Sequence, residues 1–291
     1  MNKAPIITAL LIVIAAVTLT MHLSTTDIEF SRFNREWTGT SEFFDQLEAH
    51  GAEDVGVPAD LVTRNDTLLL IIAPNTSFST GDISSLKDFL SNGNTLFIAD
   101  ETGSANGLLE GLGSTIRINP GDISSIEMDL ADYWLVIGYP RHDDPLLANV
   151  SALTLNGPSA VSGGNLLVTT SLFSWDDKNE NYYPDKDEPF SSFGILSRDS
   201  VGNSTLYVLS DPSIFINGMM DIPLSSDNDA FIRNLLSSHP AILVEQSYSL
   251  TASTDRVLAM GNWIKTTMVF KISMMILCIL LVGVAFYRRW I

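Results

Sequence analysis

The chain has 291 residues, with 16 basic and 34 acidic side chains and a formal charge of −18. Four of the bases (Lys3, Lys271, Arg288 and Arg289) lie near the ends, which leaves 12 basic against 34 acidic residues in between. That balance excludes nucleic acid as an expected partner, because binding it relies on neutralising phosphates with Lys and Arg; it suits cations, or a salty medium.

Residues 4–26 form an uncharged apolar stretch behind Lys3, with its most apolar part at 6–19. The pattern fits a transmembrane anchor or a signal peptide, and the lack of a small-x-small cleavage site favours the anchor. Residues 33–41, FNREWTGTS, form a loop rich in capping residues. It leads into a short helix with Phe43, Phe44 and Leu47 inward, and 55–57 reads as an edge strand.

The organising stretch is 67–113. An unbroken apolar run at 68–73 suits a strand buried on both faces, as in parallel sheets. Ser79 with Asp82 three residues on is helix N-cap chemistry, and Ile83, Leu86, Phe89 and Leu90 make one apolar stripe. Asn92-Gly93 supplies a residue for the left-handed helix end, and 95–99 is a second buried strand. Strand, helix and strand predict a βαβ unit. Further strands are expected at 133–138, 166–170 and 205–210, a helix at 227–238 and a last strand at 241–244. The economical architecture is one α/β domain over 27–245 with a strand-rich insertion between about 114 and 204; a second, β subdomain is the alternative.

Residues 246–265 read as a stalk, and 266–287 are long enough to span a bilayer at the helical rise. This segment holds the only cysteine, Cys278, so no internal disulfide forms and the central domain has no thiol. Lys3 on one side and Arg288-Arg289 on the other place both termini in the cytoplasm by the positive-inside rule. The expectation is a two-pass plasma-membrane protein with its main domain outside, in contact with membrane lipid and other membrane proteins.

The sharpest local motif is DKNENYYPDKDE at 177–188. Asp177, Asn179, Asn181 and Asp185 provide side-chain oxygens at positions 1, 3, 5 and 9. Tyr183 offers a carbonyl at 7 and Glu188 a carboxylate at 12, the ligand spacing of an EF-hand-type calcium loop. Tyr182 replaces the usual glycine at position 6, and no flanking helices are evident, so a solvated acidic loop is the competing reading. Asn65, Asn75, Asn149 and Asn203 head glycosylation sequons.

Catalytic signals are few. His22, His50, His142 and His239 are scattered, and no nucleophile elbow, metalloprotease helix or phosphate-binding glycine loop occurs. Asp100, Glu101 and Asp211 follow predicted strands, at the end where open α/β sheets bind ligands. Paired carboxylates there serve acid–base chemistry, or else cap helices or bind a cation.

The segments FNREWTGTS at 33–41, LKDFLSNGNTL at 86–96, SDPSIFIN at 210–217 and DNDAF at 227–231 resemble a family of uncharacterised membrane-anchored proteins of archaea and bacteria. Its members carry a domain of unknown function similar to class I glutamine amidotransferases. The chain is also similar to the soluble domain of gliding-motility-type auxiliary subunits of ABC transporters. The resemblance implies a flavodoxin-like parallel α/β core facing outward, here flanked by one transmembrane helix at each end. It also implies genes for MoxR-type ATPases or transporter subunits as neighbours. True amidotransferases use a cysteine nucleophile with a histidine partner, and the central region has no cysteine. The expectation is therefore a non-catalytic binding or assembly module, such as an auxiliary subunit of a membrane complex or transporter. The rivals are a metal-assisted hydrolase using Asp100, Glu101 or Asp211, and a passive envelope structural protein.

Overall fold

The structure is a computed structural model that describes residues 26–56, 61, 63–221 and 226–252. The predicted βαβ unit is present. Strand β2 (Thr67–Ile72) is buried at all six positions, and β3 (Thr95–Ala99) at all five. The two pair in parallel, Leu68 opposite Thr95 through Ile72 opposite Ala99. The helix between them (Thr80–Ser91) starts where expected, with the Ser79 side chain accepting from the Asp82 amide. It ends at Gly93, whose φ of 82° is left-handed. Asn94 ties helix and strands together: its amide donates to the carbonyls of Phe89 and Arg64 while its oxygen accepts from the Thr67 N–H.

Two further parallel strands extend this pair. β12 (Ser204–Leu209) lies beside β3, and β13 (Ala241–Glu245) lies on the far side of β2. The edge strand β1 (Glu53–Val55) pairs with β13. Alternation along the strands fills two cores. Leu68, Leu70, Ile72, Phe97 and Leu209 face the helices Ser41–Ala49 and Asn228–Leu236, through Phe43, Phe44, Leu47, Phe231 and Leu235. Leu69, Ile71, Leu96, Ile98 and Val208 face the other side, where Leu86, Phe89, Leu108 and Leu109 come from Thr80–Ser91 and Asn106–Leu112. Each such side chain contributes roughly 1.5–3 kcal/mol when fully buried.

The expected fold class needs correction. The region between 114 and 204 does not sit apart as an insertion on a flavodoxin-like parallel sheet. It continues the same sheet as an antiparallel wing. β11 (Gly194–Val201) forms a hairpin with β12, and β9 (Asn165–Thr170), β6 (Leu135–Pro140) and β7 (Leu153–Asn156) follow in that order. The reversal after β11 exposes the free side of that strand for antiparallel pairing, so the sheet grows instead of budding a subdomain. β4 (Arg117–Asn119) and β8 (Ala160–Ser162) pair beside β11 and complete an 11-stranded mixed sheet. β5 (Ile123–Ser125) and β10 (Ser174–Asp176) form a separate two-stranded ribbon.

The expected flanking transmembrane helices, two-pass plasma-membrane topology and cytoplasmic termini are not supported. Among the described residues no helix is long and apolar enough to cross a membrane. The longest, Thr80–Ser91, has 12 residues, about 18 Å at the helical rise against a hydrocarbon core of about 30 Å. The segments 4–25 and 266–287 lie outside the described residues. Of the expected stalk, 246–252 packs on the domain: the Asn75 N–H donates to Tyr248 and the Leu250 N–H to Ala73, both at 2.9 Å. The remainder, 253–265, is likewise outside.

Two of the segments that carried the family resemblance meet in space. The buried Asn217 side chain donates to the carbonyls of Asn34 and Glu36 and accepts from the Glu42 N–H at 3.0 Å. It thereby caps a helix whose own N-cap, Thr40, makes no side-chain cap bond. Gly39 and Gly218 are required by the same closeness. A Cβ at Gly39 would lie 1.9 Å from the Asn34 carbonyl oxygen, and one at Gly218 would lie 2.2 Å from the Trp37 ring. Asn217→Ala strands several buried backbone groups, and we expect a loss of about 3 kcal/mol. That corresponds to roughly 6–12 °C in melting temperature for a domain of this size, measurable by calorimetry.

Candidate functional site

Strands β2, β3 and β12 are neighbours and end at the same edge of the sheet. Their exits bring together Ala73, Asp100-Glu101 and Asp211 and, with residues from the packed C-terminal segment, enclose a pocket. Its volume is about 170 Å³, and Phe30, Ala73, Asn75, Asp100, Glu101 and Leu250 are among its walls.

The three sequence-predicted carboxylates differ sharply in state. Asp100 is fully buried. Its Oδ1 accepts from the N–H and hydroxyl of Thr102 and its Oδ2 from the Ala105 N–H, all at 2.8 Å. These bonds fix the turn that feeds the helix Asn106–Leu112, whose N-cap Ala105 has no capping side chain. Asp211 is also fully buried and accepts from the N–H groups of Asn156 and Ser213 at 2.8 Å, capping the 3₁₀ turn Pro212–Phe215. Burial pushes its carboxyl up to about 7, against the opposing pull of those two donors. Glu101 is different. Its carboxyl has no hydrogen-bond partner among the described residues. Burial first, and then the negative charge of Asp211, with smaller contributions from Glu29, Asp100 and Asp122, pushes it up to about 8.

Loop 177–188 is a compact knot against the β5–β10 ribbon. Asp177 and Glu188 are both 2% exposed. Asp177 accepts from the N–H groups of Asn181 and Tyr182, and Glu188 from those of Lys178 and Asp185. Asn179 and Asn181 donate to Asp185 at 2.8 and 3.0 Å. Tyr182, at the position where glycine was expected, takes the left-handed conformation at φ 63°, its ring 5.0 Å from that of Trp134. Tyr183 lies beside Tyr133. Among the described residues no group of three or more His, Cys, Asp or Glu is gathered to hold a metal ion.

The sequon residues Asn65, Asn75, Asn149 and Asn203 are all exposed, and Asn75 also lines the strand-end pocket. Sequence reasoning missed a second cavity of about 480 Å³ at the amino ends of β2, β3 and β12, lined by Thr95, Thr205, Tyr207 and His239. It also missed the buried Asp144, which pairs with Arg198 at 2.6 Å and receives the Tyr207 hydroxyl at 3.2 Å. Burial, followed by the Asp144 charge, pushes that hydroxyl up to about 12. Residues 144, 198 and 207 are brought together only by the antiparallel wing, so no local signal announces them.

The raised carboxyls set a pH dependence. The folded protein keeps protons that the unfolded chain has lost, between 4.5 and about 8 for Glu101 and between 3.8 and about 7 for Asp211. Stability therefore falls as pH rises through those windows. Melting temperature is expected to decline from about pH 5 to about pH 8, and Glu101→Gln to make the decline shallower. An identical slope in wild type and variant would show that Glu101 is not protonated in the folded state.

Comparison with known proteins adds remote likenesses and one family. The N-terminal domain of mmIFT52 is 16% identical with a TM-score of 0.48, covering 67% of this chain and 87% of that one. A β-galactosidase from Bacillus circulans sp. alkalophilus is 13% identical with a TM-score of 0.33, covering 58% of this chain. A β-galactosidase from Rahnella sp. R3 is 12% identical with a TM-score of 0.36, covering 60%. The match spans only 22% of either galactosidase, and none of the three bears on activity here. No curated protein matches the sequence. A family model does match, over residues 32–236, which takes in the parallel core up to the helix Asn228–Leu236 and the whole antiparallel wing: the chain belongs to the family described as Domain of unknown function (DUF4350).

Proposed function

We propose that the domain is a non-catalytic binding or assembly module that receives one cationic group, an amine or guanidinium, in the pocket at the strand ends. The observation that carries this reading is Glu101, a half-buried residue whose carboxyl has no hydrogen-bond partner among the described residues, on the wall of an open pocket. Size limits the occupant. About 170 Å³ holds roughly five or six waters at about 30 Å³ each, well below the ~300–1,000 Å³ of small-molecule sites. The end of one side chain fits, whereas a complete substrate does not. An entering cation restores the charged form of Glu101 and makes charge-assisted hydrogen bonds with it.

A metal-assisted hydrolase is the second reading, favoured by the raised pKa of Glu101, which suits a general acid. It needs a further free group in the same pocket, and Asp100 and Asp211 spend their oxygens on backbone and hydroxyl donors. A module without thiol chemistry also agrees with the composition, because the only cysteine, Cys278, is not among the described residues.

Calorimetric titration of methylguanidinium at about pH 7, in two buffers of different ionisation enthalpy, tests the reading. We expect saturable binding with proton release, weakened about tenfold or more in Glu101→Gln. No binding, or equal binding by the variant, would reject it. Ester or amide turnover that disappears in Glu101→Gln would favour the hydrolase instead.

The spacing of oxygen donors in loop 177–188 supports a structural calcium ion within the same proposal, one that would draw Asp177 and Glu188 from the backbone amides they now bond. Among the described residues the buried Asp177 and Glu188 have no basic partner, and the Lys178 amine donates to the Asp187 carbonyl instead. The charges of Glu180, Asp177 and Asp176 add to burial in raising the carboxyl of Asp122. Asp177, Asp185, Glu188, the side-chain oxygens of Asn179 and Asn181 and the Tyr183 carbonyl would be the ligands, all oxygen, as a hard cation requires. Calcium at about 1 mM is expected to raise the melting temperature by several degrees, and Asp177→Ala to abolish the rise. An unchanged wild-type melting temperature would leave the loop a solvated acidic turn.

A further inference from the structure

A second surface stands apart from the strand-end pocket. Nine large apolar side chains are exposed among the described residues, and seven of them come from only two segments. Ile126, Leu130 and Trp134 lie in one; Leu172, Phe173, Tyr183 and Phe190 lie in the other. The fold zips these segments together. Strands β5 and β10 pair with Ser125 opposite Ser174. The Ile126 N–H donates to the Phe173 carbonyl at 3.1 Å, and the Ser191 N–H to that of Ser174 at 2.8 Å. Trp134 meets Tyr182 at 5.0 Å, and Phe190 stands edge-on to the buried Trp175 at 5.8 Å. Leu172 and Phe173 are 71% and 54% exposed. Scattered exposed apolar residues are ordinary on a protein surface, but a concentration of this kind marks an interaction surface.

The occupant follows from the charges that surround it. In the stretches 120–134 and 171–190 seven acidic side chains reach the surface (Asp122, Glu127, Asp132, Asp176, Glu180, Asp185 and Asp187), against only two basic ones, Lys178 and Lys186. A second copy of this chain would bring the same acidic rim against itself, and an anionic lipid surface would be repelled in the same way. We infer that this aromatic, acid-rimmed face docks a protein segment with apolar side chains flanked by Lys or Arg. Apolar anchors then supply affinity at the centre, while opposite charges at the rim steer encounter and reject acidic competitors. This inference does not depend on the strand-end pocket or on its ligand.

The test uses the full chain with two synthetic peptides of about 14 residues, one alternating Lys with Leu and Trp and its counterpart with Glu for Lys, read by fluorescence anisotropy. The double substitution Leu172→Ser, Phe173→Ser removes two exposed anchors, and the pair Glu180→Asn, Asp187→Asn removes rim charge from two exposed side chains without touching the apolar centre. We expect the Lys peptide to bind saturably and to weaken with salt. The Ser variant should lose about tenfold in affinity, and the Asn variant should bind more weakly. The proposal is overturned if the Lys peptide fails to bind, if the Ser variant binds it as well as wild type, or if the Glu peptide binds equally. It is also overturned if the Ser substitutions abolish self-association of the chain or its binding to phosphatidylcholine vesicles, which would name another occupant.

Discussion

Acid outnumbers base so heavily in this chain that buried carboxylates must find neutralising partners other than Lys and Arg. Asp144, paired with Arg198, departs from this; the partner of the others named below is the backbone N–H. Asp100, Asp211 and Glu245 each stand at or just past the end of a parallel strand, and each accepts from the amides of the turn that follows. Asp177 and Glu188 close their loop in the same way. Charge-assisted bonds of this kind are stronger than neutral ones, and they set the direction in which the chain leaves the sheet. The edge where the strands end is therefore built from acids that point inward. A desolvated carboxylate is costly unless its oxygens are satisfied, so each turn is held in the one geometry that satisfies them.

Glu101 is the exception that this arrangement creates. Its neighbours Asp100 and Asp211 have taken the amides, and its own burial first, then the nearby negative charge, pushes its carboxyl up to about 8. A neutral acid on the wall of a mostly apolar recess is the feature on which the proposed cation receptor rests, and the small volume of the recess restricts what can enter. The same logic applies in weaker form to loop 177–188, where amides satisfy the two buried carboxylates but leave a concentration of negative charge that Lys178 and Lys186 offset only in part.

Local features could be read from the sequence because they rest on short-range chemistry. The apolar run of β2, the Ser79 cap, the stripe of Leu86, Phe89 and Leu90, and the left-handed Gly93 all lie within a span of 30 residues. The carboxylates at the strand ends were identifiable for the same reason, since each follows its strand directly. What could not be read depends on long-range pairing. Nothing in the sequence of β13 says that it enters between β1 and β2, or that β11 turns back on β12 and carries the wing onto the same sheet. Asn217 reaches 175 residues back to cap a helix, and neither segment alone shows the need. The state of each carboxylate was equally hidden: Asp100 and Glu101 are adjacent in sequence, yet one is bonded at both oxygens and the other has no hydrogen-bond partner among the described residues.

The place of β13 has a consequence for the order in which the molecule can be made. Strand β1 pairs only with β13, and β13 also covers the free side of β2. As the polypeptide emerges from N-terminus to C-terminus, residues 53–55 and 67–72 are available early, but the strand that belongs between them comes some 170 residues later. Until then β2, apolar at nearly every position, presents an open hydrogen-bonding edge, the kind of surface that recruits unintended strands. Closing so long a span is also slow, because most of the chain must be arranged before the final pairing rewards it. The last strand thus acts as a keystone, and a nascent chain stopped short of it would expose its most adhesive edge.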